Sequence, residues 1–378
     1  MKQLMSFFTQ SLLIIFFVGA CGGTRPHPAP GPATLEQIHI TATRDGEHFS
    51  LDSYDAETLF NRAAQSLRKG DCEQANKYYS KLITEYKDSD LVEPALYNAG
   101  VCFDQREMYR QAVTAYKMII NKFPESDDIK DALFRLAGSY EKLEAWEEAT
   151  KTFDTLLFER DDLKGVERVE ALARKGTAQV SLGLYDEAEL VLGEAVRLQR
   201  NGRNITLTDS VYHYSMAQFK LGEILHNKMR AVMLSSDESL LKQTLEKKAQ
   251  LLLDAQRLYT KVIRIGHPHW SGASAYRIGS LYHHLWVDIL AAPPPADLTD
   301  EEREIYTDIL KKRIKVLLRK AIVQWERTIK FADRLDLEDS WLSSAVTDLN
   351  EIRNALAMEE KHEEKIKKEY ELIPEDGS

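Results

Sequence analysis

The chain has 378 residues, 43% of them hydrophobic, and a formal net charge of −10. That share of apolar side chains supports a continuous core, in two or three domains or in one long repeat array. The acidic balance argues against nucleic acid as a partner, because affinity for it comes largely from neutralising phosphates.

Residues 1–20 have the layout of a secretory signal peptide: Met1-Lys2-Gln3, an apolar run from Leu4 to Val18, then the small pair Gly19-Ala20. The run is shorter than the roughly 20 apolar residues of a bilayer-spanning helix. It ends in glycine and proline instead of a basic stop-transfer segment. The residues Val18-Gly19-Ala20-Cys21 resemble the bacterial lipobox. That resemblance implies that Cys21 is acylated and becomes the first residue of the mature chain. Removing residues 1–20, whose only charge is Lys2, takes the formal charge from −10 to −11. Each buried methylene of an acyl chain contributes roughly 0.8 kcal/mol, so several chains on one residue anchor firmly. Gly22 stands where an Asp would favour inner-membrane retention, so the resemblance implies the outer membrane, on its periplasmic side.

Residues 21–53 read as a tether. Gly22 to Pro32 holds four prolines and three glycines and is expected to be extended and flexible. From Ile38 to Leu51 apolar residues alternate on both sides of Asp45-Gly46, a dipeptide favoured in two-residue hairpin turns. A lone hairpin is marginal in water, so this stretch is expected to continue the linker, with a β-hairpin that could add to a partner's sheet the alternative.

From residue 56 onward a motif recurs. An Ala is followed four residues later by a bulky side chain, at Ala75/Tyr79, Ala112/Tyr116, Ala149/Phe153, Ala188/Leu192, Ala255/Tyr259 and Ala321/Trp325. The first four alanines are spaced by 37, 37 and 39 residues, and a small residue lies twelve before each: Ala63, Gly100, Ala137 and Gly176. Small residues let two helices approach closely, and residues three or four apart share a helix face. Neither helix of such a pair buries its apolar stripe alone, so pairs must stack. The stretch Pro94–Pro124 carries Leu96, Gly100, Phe103, Ala112, Tyr116 and a closing proline, and the next unit carries Leu133, Ala137, Tyr140, Ala149 and Phe153. These residues resemble the tetratricopeptide-repeat family. The resemblance implies an all-α solenoid, a right-handed superhelix of helix pairs, with four repeats over residues 54–207.

Later units depart from the spacing. Ala217, Gly222 and Leu225 read as a first helix whose partner Ala255 lies 33 residues after Gly222; Ser274, Gly279 and Tyr282 pair with Ala321, 42 after Gly279. Residues 208–335 are therefore expected to form two atypical repeats with elongated helices. Thr299 is placed as an N-cap with Glu302 in the capping-box position. Residues 336–378 make a capping helix and a charged tail.

Exported cysteines meet an oxidising compartment. Cys72, at the start of one helix, and Cys102, on the next, are candidates for a bridge across neighbouring helices, with Cys102 as a small core residue the alternative.

No GxGxxG, phosphate-loop, HExxH or GxSxG motif occurs, so no enzyme and no cofactor is expected. His267, His269, His283 and His284 form the one histidine-rich group. Adjacent helical positions diverge by about 100°, so His283 and His284 do not converge on one metal. In a repeat superhelix the first helices line the concave side. The positions two and three before each small residue read Tyr97-Asn98, Phe134-Arg135, Ala173-Arg174, Phe219-Lys220 and Tyr276-Arg277. Tyr97, Phe134, Arg135, Arg174, Phe219, Lys220, Tyr276 and Arg277 are thus the expected partner groove, aromatic and basic, suited to acidic peptide segments of an envelope protein. In layout the chain is similar to the repeat lipoproteins of β-barrel assembly, of the Tol-Pal system and of gliding motility. It is expected to be a lipid-anchored scaffold. An activator of a cell-wall enzyme and a glycan-binding lipoprotein are the alternatives.

Overall fold

A computed structural model describes residues 38–45, 48–160, 162–201, 207–295 and 297–371. Cys21 and residues 22–37 lie outside them. Backbone contacts divide the chain into one unit up to Thr58 and another from Leu59.

In the first unit, strands β1 (His39–Asp45) and β2 (His48–Tyr54) pair antiparallel from His39↔Tyr54 to Asp45↔His48. The segment expected to stay unpaired is thus a hairpin. Gly46 of the Asp45-Gly46 turn read from sequence lies outside the described residues. The register runs through seven Cα pairs, with Ala42 opposite Leu51 and Arg44 opposite Phe49 among them. The His39 and Tyr54 rings stack at 5.7 Å.

Thirteen helices follow among the described residues. They are α1 (Ala56–Arg68), α2 (Cys72–Glu85), α3 (Val92–Gln105), α4 (Tyr109–Lys122), α5 (Ile129–Lys142), α6 (Trp146–Glu159), α7 (Gly165–Ser181) and α8 (Tyr185–Asn201). Longer ones come next: α9 (Leu207–Ala231), α10 (Glu238–Ile265), α11 (Pro268–Leu290), α12 (Asp300–Leu335) and α13 (Ser340–Glu371). Asp71 accepts from the Gln74 amide at 2.9 Å to cap α2, and Thr299 with Glu302 forms a capping box at α12. Between first and second helices the chain turns through left-handed backbone at Gly70, Glu107, Glu144 and Gly183, always five residues before the repeat alanine. Two of these four sites hold glutamate, which pays a steric cost there that glycine avoids.

From α2 onward consecutive helices pack against one another, and in the later, longer pairs first helices also meet the next first helix, as α7 meets α9 and α9 meets α11. Each repeat alanine is fully buried, and so are Tyr79, Tyr116, Phe153, Leu192, Tyr259 and Trp325 at 0% exposure. A Cβ built on Gly100 would lie 2.5 Å from the Tyr116 ring; on Gly176, 2.5 Å from Leu192; on Gly222, 2.7 Å from Tyr259; on Gly279, 2.3 Å from Trp325. In these four pairs, two regular and two elongated, the small residue of the first helix therefore receives the bulky residue of its second helix. The fold is an all-α solenoid of helix pairs.

Candidate functional site

The first helices α3, α5, α7, α9 and α11 carry the predicted groove column, and neighbouring members are joined through it. Arg135 Nε donates to the Tyr97 hydroxyl at 2.8 Å, with its guanidinium 5.3 Å from the Tyr97 ring centre. Arg174 grips two carboxylates, Glu141 on α5 at 2.8 Å and Glu170 on its own helix at 2.9 Å. Lys220 and Arg277 share Glu223 at 2.7 and 2.6 Å. Tyr276 donates to Asp348 on α13 at 2.9 Å and stacks on Trp325.

This corrects two expectations. Arg174, Lys220 and Arg277 do not present a free positive stripe, because each is neutralised by a carboxylate of the same surface. Glu223 is 13% exposed by side chain. Burial by itself would raise its carboxyl, but Lys220 and Arg277 outweigh that and hold it below the ordinary range. Phe219 is not a groove anchor at all. It is 5% exposed, with its ring 5.5 Å from Tyr259 and 5.1 Å from Trp270, because α9 is covered there by both α10 and α11. Phe134, Tyr97 and Tyr276 are half-buried.

What remains open lies around Arg174. One recess of about 410 Å³ is lined by Tyr109, Phe134, Arg135 and Ser139, and a second of about 330 Å³ by Trp146, Tyr212, His213 and Met216. They adjoin, sharing Glu141, Lys142 and Arg174. Trp146 and Tyr212 were missed in the sequence because neither falls in the repeat column. Trp146 opens a second helix, and Tyr212 sits seven residues before Phe219 on the elongated α9.

Cys72 and Cys102 are both buried and both free thiols. Cys72 Sγ donates to Gln105 Oε1 at 3.1 Å. Burial, and then the Cys72 side chain beside it, push the Cys102 thiol up to about 12. The helices do bring the two together as their positions suggested, but as packed thiols instead of a bridge.

The histidines divide. His267 precedes α11 as its N-cap, and His269 pairs with Asp339. His284 instead meets His226 of α9, ring nitrogen to ring nitrogen at 2.8 Å. Among the described residues no group of three or more metal-ligating side chains converges. Burial first, then neighbouring positive groups, lowers His226 to about 3 and His284 to about 4. Both rings are therefore neutral when folded at pH 7. Unfolded histidine takes a proton near pH 6.5, so the unfolded chain binds more protons below that value, and stability falls as pH drops from about 6.5 toward 4. The expected loss is on the order of 2 kcal/mol per ring. Thermal unfolding at pH 7 and pH 4.5 checks it: the decrease should be shallower in His284→Gln than in the parent chain.

A stacked-helix scaffold with an aromatic and ionic inner surface is thus the class of protein that fold and site define. Three segments, residues 57–89, 94–126 and 131–157, match the tetratricopeptide repeat family model. No curated protein matches the chain. Solved structures to which it is similar include a tetratricopeptide repeat protein from Parabacteroides merdae, 17% identical, covering 71% of this chain and 98% of that chain, with a TM-score of 0.37. Another is YrrB, described as a tetratricopeptide-repeat protein with an unusual peptide-binding site, 16% identical, covering 72% and 98%, with a TM-score of 0.37. MamA from Desulfovibrio magneticus is 16% identical, covering 53% and 95%, with a TM-score of 0.36.

Proposed function

We propose that the protein is a lipid-anchored scaffold of a bacterial cell envelope. Cys21 holds it to the periplasmic face of the outer membrane, and a partner protein seats on the surface of its first helices. The lipobox-like Val18-Gly19-Ala20-Cys21 and the non-acidic Gly22 support the anchor. The observation that carries the binding reading is the pair of adjoining recesses, where Phe134, Trp146 and Tyr212 surround the Arg174 ion cluster. Aromatic rings beside a rigidly held guanidinium are typical interface anchors. Because that guanidinium is already neutralised, the partner segment needs apolar side chains and hydrogen-bonding groups, with no requirement for acidic ones.

Site-specific photo-crosslinking in cells tests this. A benzophenone side chain at Phe134 or at Tyr212 should trap the same protein, whereas one at Leu190, exposed on α8, should trap neither that protein nor any other specifically. Equal trapping at all three positions would move the partner surface elsewhere. In the same cells Cys21→Ala should remain uncleaved and leave the outer-membrane fraction; a mature-sized Cys21→Ala protein in that fraction would remove the anchor from the reading.

A further inference from the structure

Arg174, Lys220 and Arg277, each paired with a carboxylate, leave little of the acidic-peptide specificity expected of the first helices. Helix α12 holds no acidic residue between Asp308 and Glu326, a stretch that contains Lys311, Lys312, Arg313, Lys315, Arg319 and Lys320. In a chain of net charge −10 this is a local reversal of sign. Glu326, at its end, is tied to Arg353 of α13.

The packing sorts these residues. Leu318, Ala321 and Trp325 turn inward, against Ala345, Leu349 and Ile352 of α13. A different face stays open: Val316, Arg319, Lys320, Val323 and Arg327 are all exposed, the two valines at 51% and 44%. Their spacing of three and four residues keeps them on one stripe. Lys312 and Arg313, also exposed, extend that stripe by one turn. From Lys312 to Arg327 it runs about 22 Å at 1.5 Å per residue. Beside it lies a recess of about 340 Å³, whose other walls are Gln256 of α10 and Ile278 and Tyr282 of α11. Lys320 lies 5.0 Å from the Tyr282 ring centre, so one cation already roofs the aromatic floor.

We infer that this trough between α10 and α12 is a second docking surface, and that its occupant is an acidic amphipathic helix of a partner protein. The charge complementarity is direct: exposed cations rim the trough along its length, and two valines offer short apolar contacts between them. A helix laid over two helices repeats the packing already used throughout the array. A bilayer is a poorer occupant. Membrane-surface helices present a broad apolar face with Trp, Phe or Leu, whereas this stripe exposes two valines among its cations, and its aromatic group is recessed.

A fluorescein-labelled 15-residue probe peptide, with Glu at i, i+3 and i+4 spacing and Leu between, is titrated with the full-length protein and followed by anisotropy. The parent chain should bind it, and raising salt from 50 to 300 mM should weaken binding at least tenfold, since exposed charges carry the attraction. Arg319→Glu/Lys320→Glu/Arg327→Glu should lose at least tenfold at low salt, with helical circular dichroism and the thermal midpoint retained. Val316→Ser/Val323→Ser should lose several-fold while keeping the salt response. Any of these results overturns the inference: no binding by the folded parent; binding unchanged by the triple reversal; or sedimentation with phosphatidylglycerol vesicles that the triple reversal abolishes and the peptide does not compete with. A concentration-dependent dimer of the parent chain that the reversal dissolves would also overturn it, by making a second copy the occupant. The benzophenone trap at Tyr212 reads a separate surface, so its failure leaves this titration unaffected.

Discussion

Reversing Arg174 and Arg277 to Glu is expected to destabilise the solenoid before any effect on a partner can be read. Arg174 holds Glu141 and Glu170, and it lies 5.1 Å over the Phe153 ring, with only 16% of its side chain exposed. A glutamate there leaves three carboxylates clustered between α5 and α7. Removing one partner of a buried pair typically costs about 3–5 kcal/mol, because the remaining charge stays desolvated. Arg277 is more exposed than Arg174, so its reversal against Glu223 should cost somewhat less, about 2–4 kcal/mol. Domain stabilities of about 5–15 kcal/mol leave little after both changes. Urea unfolding followed by circular dichroism decides the matter. A double reversal whose midpoint stays within error of the parent would show these pairs to be surface decoration. The replacement of Lys220, Glu223 and Arg277 together by Met should restore most of the loss from Arg277→Glu, because what harms the fold is the stranded charge and not the missing attraction.

The second large effect concerns contacts that leave no room for a methyl group. Gly279→Ala should lose about 1–3 kcal/mol, the usual range for overpacking a filled core. Its new Cβ would stand 2.3 Å from the Trp325 indole nitrogen, and that ring is fully buried and donates to the Tyr276 carbonyl at 3.1 Å. The ring can yield only by breaking that bond and moving against α13. Gly193 on α8 provides the contrast. Nothing lies within 4 Å of a Cβ built there, so Gly193→Ala should gain about 0.5–1 kcal/mol from reduced chain entropy. Opposite signs for the same chemical change, read as urea midpoints, are the expected result. Alanine is the better helix former at both sites, so a loss at Gly193 as large as that at Gly279 would show that the close approach to Trp325 is not what sets the cost.

Local sequence alone determined the helix pairing. The rule that a small residue on the first helix faces the bulky residue four after the repeat alanine holds at Gly100/Tyr116, and it holds again at Gly222/Tyr259 and Gly279/Trp325, where insertions separate the two halves. It is legible because close packing of two helices restricts residue size at a fixed position, and a size restriction is written directly in the residue types. The capping box at Thr299 was legible for a similar reason, since it involves one short stretch of chain.

The character of the inner surface was decided only by tertiary structure. Whether Arg174 is a free cation depends on Glu141, 33 residues away on another helix, and the burial of Phe219 depends on Trp270, 51 residues away. The left-handed turns at Glu107 and Glu144 were hidden as well, because glutamate gives no sign of the positive φ that the helix-to-helix geometry imposes. Size is a property of one residue, whereas net charge and exposure are properties of a neighbourhood. A column of like residues can therefore be read along the chain, while its neutralisation by carboxylates from the next helix appears only when the pairs have stacked.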